Sequence, residues 1–264
     1  GNEPNFLNGL NLPRLNAGQR RSLGQPYTKV EFQRVLFKLM AEGKAPGSDG
    51  LTVALLKKLW TEIGDPLTQS LLEGLEGGEL SASQKQSVIR LIAKDNKDLQ
   101  ELSGWRPISL MNVDVKILAR AASERMRNLL PQLVSRNQIA YMKGREMCEG
   151  NRLIDFLIEY NEARDGGFIA AIDFEKAFDS VSHAYIEKVL ESYGFPMEFR
   201  DLVRTLYHEA ESAVMNNGFK TKVFKLGRGC RQGDPLSPYL FSLVLDPLLR
   251  KIDEDRDVQG LSTP

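Results

Sequence analysis

Residues 167–181 read GFIAAIDFEKAFDSV. The opening GFIAAIDF (167–174) is short and nearly all apolar, so it reads as a strand buried on both faces. It carries a carboxylate, Asp173, at its mouth. An acid there is costly to desolvate unless something compensates it, and a divalent cation is a natural partner. An Asp that caps the following helix is the competing reading, and the residues alone leave both open.

Working outward, Ser182 caps a helix that closes at Gly194, and Pro196 starts the next. Asn217-Gly218 between 212–216 and 219–226 signals a hairpin. A helix follows from about Leu236 to Ile252. Toward the N-terminus, QSVIRLIA (86–93) and RPISLM (106–111) read as a β-hairpin with a mobile, charged tip. Asn112 then caps a helix carrying Val115, Leu118, Ala122, Met126 and Leu129, which Pro131 ends. Another helix spans about 147–163. Thr28 and Glu31 form a capping box before a helix that turns Val30, Val35, Leu36, Leu39 and Met40 to one side and stops at Gly43. Two helices are expected at about 52–62 and 65–76, the second capped by Asp65 with Pro66 in its first turn. Strands and helices without strict alternation make an α+β fold.

The chain has 264 residues, 42% of them hydrophobic and 27% charged, with 35 Lys+Arg against 35 Asp+Glu. That excludes a typical disordered chain. No apolar run approaches the ~20 residues of a membrane-spanning helix, and GNEPNFLNGL lacks the layout of a signal peptide. With only Cys148 and Cys230, a disulfide framework is not expected and a reducing compartment is. His183 and His208 have no ligand-like neighbours in sequence, so a zinc site is not expected. The charge is uneven: residues 81–152 hold 13 Lys+Arg and 7 Asp+Glu, a net +6 set against −6 elsewhere. A basic half beside an acidic half suits a phosphate-binding surface next to a metal-binding one, but charge alone favours ordinary solvated helix faces.

Two further stretches carry candidate chemistry. GRGCRQGDPLSPYLF (227–241) packs Gly227, Gly229 and Gly233 ahead of a helix N-terminus. Backbone there can approach a ligand closely, the helix start favours phosphate, and Arg228 and Arg231 add positive charge. Lys94 and Arg106 stand at facing ends of the basic hairpin, where paired cations can clamp a triphosphate.

Taken in order, KAPGSDGLT (44–52), IRLIAK with WRPISLMNVDVKIL (89–118), QIAYMKGR (138–145), IDFEKAFD (172–179) and CRQGDPLSPYLF (230–241) resemble the blocks of a reverse transcriptase. The wording resembles the non-LTR, LINE-type retrotransposon branch, with group II intron maturases as cousins. The resemblance runs from about residue 12 to about 252. It implies a helix-rich right-hand polymerase with fingers and an incomplete palm. Residues 1–43 would be an N-terminal extension, 44–165 fingers with the first palm helices, and 166–181 the palm strand and catalytic motif. Residues 182–227 would be fingers helices and hairpin, and 228–264 partial palm. It implies Asp173 as the first metal-binding aspartate, with the backbone of Phe174 beside it, for two Mg²⁺ ions in the complete enzyme. Phe178 would be a steric gate that selects dNTPs. Lys94 and Arg106 would hold the triphosphate, and Gln232 and Gly233 would contact nucleotide and template. Asp179 is not expected to bind metal. The implied partners are an RNA template, a DNA primer and dNTPs, with no membrane.

One feature departs from the family. No aromatic-x-Asp-Asp motif follows the last helix; the later acids lie in DEDRD (253–257). One aspartate cannot hold two cations. The expectation is an N-terminal piece of a polymerase, inactive alone, whose incomplete palm sheet leaves an edge open to self-association. The alternative is a non-catalytic RNA-binding or maturase-like module. An intracellular location is expected, nuclear for a eukaryotic retrotransposon.

Overall fold

A computed structural model of the chain describes residues 6–162 and 169–258. Asn16 and Gln19 bond each other's backbone N–H groups, both at 2.9 Å, and start α1 (Ala17–Leu23). Thr28 caps α2 (Lys29–Arg34) by accepting from the Glu31 N–H at 3.2 Å. The expected box stays half made, because the Glu31 carboxylate takes Nε and Nη2 of Arg125 at 2.9 and 2.6 Å. α2 loosens into a π turn over Val35–Leu39, short of Gly43. Phe32, Val35 and Leu36 are fully buried, and Leu39 and Met40 pack against the core, while Val30 is 76% exposed; the expected inward stripe holds except at Val30, whose place Phe32 takes.

Thr52 caps α3 (Val53–Lys58), and α4 (Trp60–Gly77) follows after Leu59. The expected break at Asp65 does not occur. Gly64 lies against the buried Trp60 ring, where a Cβ would come within 3.0 Å. Asp65 pairs with Lys29 at 2.8 Å instead of capping, and Pro66 sits inside the helix. Packing of Trp60 decides the helix start, over local turn chemistry.

The turn α5 (Ala82–Lys85) leads into β1 (Gln86–Ala93), which pairs antiparallel with β2 (Trp105–Met111). α6 (Val113–Arg127) is the central helix, with Val115, Ile117, Leu118, Ala119, Ala121, Ala122 and Met126 fully buried. It packs on α1, α2 and α4. Asn112 holds the N-cap position without capping. Its Oδ1 accepts from Ser48 Oγ and the Asp49 N–H, and its Nδ2 donates to the Ser83 carbonyl at 2.9 Å. α6 ends at Arg127, before the expected stop, and Pro131 lies inside the short α7 (Leu130–Leu133).

α8 (Met147–Glu162) precedes the turn α9 (Ala177–Ser180). Ser182 caps α10 (His183–Ser192), and α11 (Met197–Tyr207) starts after Pro196. β3 (Glu211–Asn216) turns at Asn217-Gly218, both at positive φ (48° and 83°), into β4 (Phe219–Lys220). That is the hairpin the Asn-Gly pair foretells. β5 (Phe224–Lys225) also pairs with β3, and α12 (Ser237–Glu254) packs on α10 and α6. The sheet order is β2-β1-β3-β4, and β1 runs parallel to β3 from Gln86↔Glu211 to Arg90↔Met215. The result is a mixed α/β fold, rich in helix around a small sheet.

The expected buried strand at 167–174 is corrected by the structure. Residues 167 and 168 lie outside the described residues; 169–174 is neither strand nor buried, with Ile172 77% exposed. A strand is buried on both faces only where neighbours cover it, and no described residues pair with this one. Leu153, Ile154, Phe156 and Ile158 of α8 are likewise exposed.

Candidate active site

Asp173 and Phe174 end the exposed coil, and the chain then turns at Lys176, whose φ of 51° is left-handed. The Ser180 N–H and Oγ both donate to the Lys176 carbonyl at 3.0 Å, closing α9. This turn fixes Phe178, half-buried, with its ring stacked on Phe241 of α12 at 4.5 Å. Burial pushes the Asp179 carboxyl up, with Lys176 opposing.

The glycine-rich loop docks against this turn. The N–H groups of Gly229 and Cys230 donate to the carbonyls of Val181 and Phe178, each at 2.7 Å. Gly229 has φ 96° and lies so close that a Cβ would meet Asp179 backbone at 3.1 Å. His183 packs on Tyr207, and its Nε2 lies 3.0 Å from the Gly229 carbonyl. Burial pushes its pKa down. On the loop's other side, the Ser109 N–H of β2 donates to the Gln232 carbonyl at 2.8 Å. Gly233, at φ 105°, would place a Cβ 2.6 Å from the Ser109 carbonyl oxygen. Residues 229–233 therefore form a strap between the Phe178 turn and β2, and two of its glycines are required by contact and by φ.

Arg106 lies three residues before Ser109 on β2, opposite Ile92. Strand alternation puts Arg90, Ile92 and Arg106 on one sheet face, with Lys94 just beyond the end of β1. Arg90 and Arg106 are exposed, and neither makes an ion pair among the described residues. Lys94 donates its ammonium to the Ser103 carbonyl at 2.8 Å, which holds it at the hairpin end. The fold thus gathers Phe178, Gln232, Gly233 and the strand of Arg106, and places Asp173 at the open margin.

Two expectations for the loop are corrected. Arg231 is not offered to phosphate; it is buried, donating Nη2 to the Leu206 carbonyl and lying over the Tyr207 ring. The start of α12 is also taken, because Asp234 Oδ1 accepts the Leu236 N–H at 2.8 Å. A carboxylate of the chain sits where a phosphate was expected. Sequence reading missed Asp234; the visible signal was an acid two residues before the first turn of a helix.

Phe174 lines a groove of about 890 Å³ with Ala177, Val181, Tyr185, Phe241 and Val244. Asp173 belongs to no cluster of three or more metal-ligating side chains among the described residues. The cluster that does form is Glu79, His208 and Glu209, whose ligand atoms lie within 4.8 Å of one another. Its carboxylates are engaged by Lys85 and Lys225. Cys148 is exposed and Cys230 buried, both as free thiols. No described helix is long and apolar enough to cross a membrane.

Comparison with known proteins bears on this arrangement. A family model for reverse transcriptase (RNA-dependent DNA polymerase) matches residues 92–260. A 149 kDa protein of transposon TX1 from Xenopus laevis is 36% identical over 90% of the chain and 18% of its own length. A Pol polyprotein from the type-2 retrotransposable element R2DM of Drosophila melanogaster is 32% identical over 89% of the chain and 22% of its own length. An RNA-directed DNA polymerase from the mobile element jockey of the same fly is 26% identical over 86% of the chain and 26% of its own length. The chain spans about a fifth of the length of the first two relatives. The strap, the turn it grips and the basic strand all fall within the matched residues, and the chain belongs to the reverse transcriptase family.

Proposed function

We propose that the chain forms the fingers and first palm elements of an RNA-directed DNA polymerase of a LINE-type element, which copies RNA onto a DNA primer from dNTPs. The observation that carries this reading is the strap, which joins the Phe178 turn to β2 through three backbone hydrogen bonds. In this reading Arg106, with Lys94 behind it, receives the triphosphate on the exposed sheet face. Gln232 and Gly233 line the nucleotide's path along β2. Phe178 acts as the gate against a ribose 2′-OH, and its stacking on Phe241 supports a rigid ring. The domain spans are those the resemblance implies: extension to residue 43, fingers over 44–165 and 182–227, and palm over 166–181 and 228–264.

Asp173 and the Phe174 carbonyl fit as part of a Mg²⁺ ligand set, since an exposed carboxylate can meet a cation that substrate phosphates also bind. The bound cations would stabilise the attacking and leaving oxygens of phosphoryl transfer. Asp173 alone does not complete a two-cation set, so this chain by itself is inactive in this reading, and an exposed sheet edge is the surface for self-association. Action is inside the cell, and in the nucleus of a eukaryotic host.

The lone Asp173 also favours a second reading, a non-catalytic module that holds RNA on the basic hairpin. Primer extension by the complete element-encoded protein separates the two. Metal-dependent dNTP incorporation that Asp173→Asn abolishes supports the polymerase; RNA binding without any incorporation supports the module.

A further inference from the structure

The strap buries two opposite charges that the proposed chemistry does not use. Arg231 is 5% exposed and Asp234 2% exposed. They flank Gln232 and Gly233, the two residues whose backbones meet β2. Each is anchored to a different helix: Arg231 to the Leu206 carbonyl in α11, and Asp234 to the Leu236 N–H at the start of α12. Arg231 keeps Nε and Nη1, and Asp234 keeps Oδ2, without a hydrogen-bond partner. Lys116 and His183 also feel these charges. Burying unpaired polar atoms is unfavourable, and a buried ion with its counter-charge removed is more so. A loop that needed only to reverse direction would not require either ion. These two act at the ends of a dipeptide and fix it against both α11 and α12.

We propose that Arg231 and Asp234 are positioning residues whose buried charges clamp the strap, holding Gln232 and Gly233 between β2 and the Phe178 turn. The consequence for nucleotide binding rests on the polymerase reading; the consequence for loop position does not.

Cys230 reports on the clamp directly. It is fully buried beside Arg231, and burial pushes its thiol up to about 12. With Cys148→Ser in place, Cys230 is the only thiol, and its alkylation by iodoacetamide follows opening of the strap. Arg231→Met, and the gentler Asp234→Asn, raise the alkylation rate about tenfold or more well below the melting temperature, because the strap opens locally. Leu56→Ala, in the distant α3 core, serves as a control of similar destabilisation and moves the rate only as global unfolding does. If both strap variants follow that control, the proposal is wrong. In the complete polymerase, Arg231→Met raises the dNTP KM about tenfold while kcat changes little. A wild-type KM with an exposed Cys230 overturns the link to nucleotide binding. RNA binding by the unaltered complete protein without any dNTP incorporation would instead show that the polymerase reading has failed.

Discussion

The strap region and the 147–174 region are both rich in apolar residues, yet they behave oppositely. Around the strap, Cys230, Leu236 and Leu240 are fully buried, and backbone hydrogen bonds run to two separate elements. In α8 and the following coil, Leu153, Phe156, Ile169, Ile172 and Phe174 face outward. The difference lies in cover: the strap is held against β2, α11 and α12, whereas these five side chains of the second region stay exposed. Hydrophobic sequence therefore signals burial only where a matching surface is present.

The sharpest way to break this contrast is chemical. In the complete polymerase, Asp173→Asn should lower primer extension by about three orders of magnitude, since a metal-stabilised transition state is worth several kcal/mol. Retained activity would remove the functional meaning of the exposed margin. Next in size is Gly233→Ala, which forces a Cβ onto the Ser109 carbonyl at a left-handed φ. It should cost about 1–3 kcal/mol in urea unfolding. Phe178→Ala removes a half-buried ring stacked on Phe241 and should cost about 1–2 kcal/mol, while narrowing the dNTP preference over rNTPs in the complete enzyme. By contrast Phe156→Ser, on the exposed face of α8, should change stability by less than about 0.5 kcal/mol and lower dye binding to apolar surface.

The smallest effect is a pH dependence. Burial lowers the folded pKa of His183 below its usual 6.5, so the unfolded chain binds the proton more readily. His183 thus adds nothing unfavourable above pH ~6.5 and destabilises as pH falls below it. Urea midpoints at pH 7.5 and 5.5 should differ less in His183→Asn than in the unaltered chain.

Much of the fold was legible in short-range chemistry. Thr28 and Ser182 cap as their types suggest, and Asn217-Gly218 makes its hairpin. What failed depended on partners distant in sequence. The Trp60 core carries α4 through Pro66, Arg125 draws Glu31 from its box, and β3 reaches back to β1 in parallel. In the site, composition pointed to Arg231 as a surface cation, and only packing against α11 places it inside. Charge counting suffered in the same way. Within the basic segment 81–152, Lys85, Arg120, Arg125 and Arg127 are paired with acids, and Arg145 is spent on four carbonyls. Arg90 and Arg106 are the cations left on the sheet face.

The parallel pairing of β1 with β3 also shapes how the chain is made. Ser87 and Ser212, paired in that ladder with their hydroxyls 3.0 Å apart, are 125 residues apart. At a ribosome's pace of about 5–20 residues per second, β1 waits on the order of ten seconds for its neighbour to emerge. During that interval the β1–β2 hairpin shows an unsatisfied edge to its surroundings. Closure of the sheet is accordingly a late event in biosynthesis, and chaperone demand should fall on the nascent chain after β2 and end once β3 has left the exit tunnel.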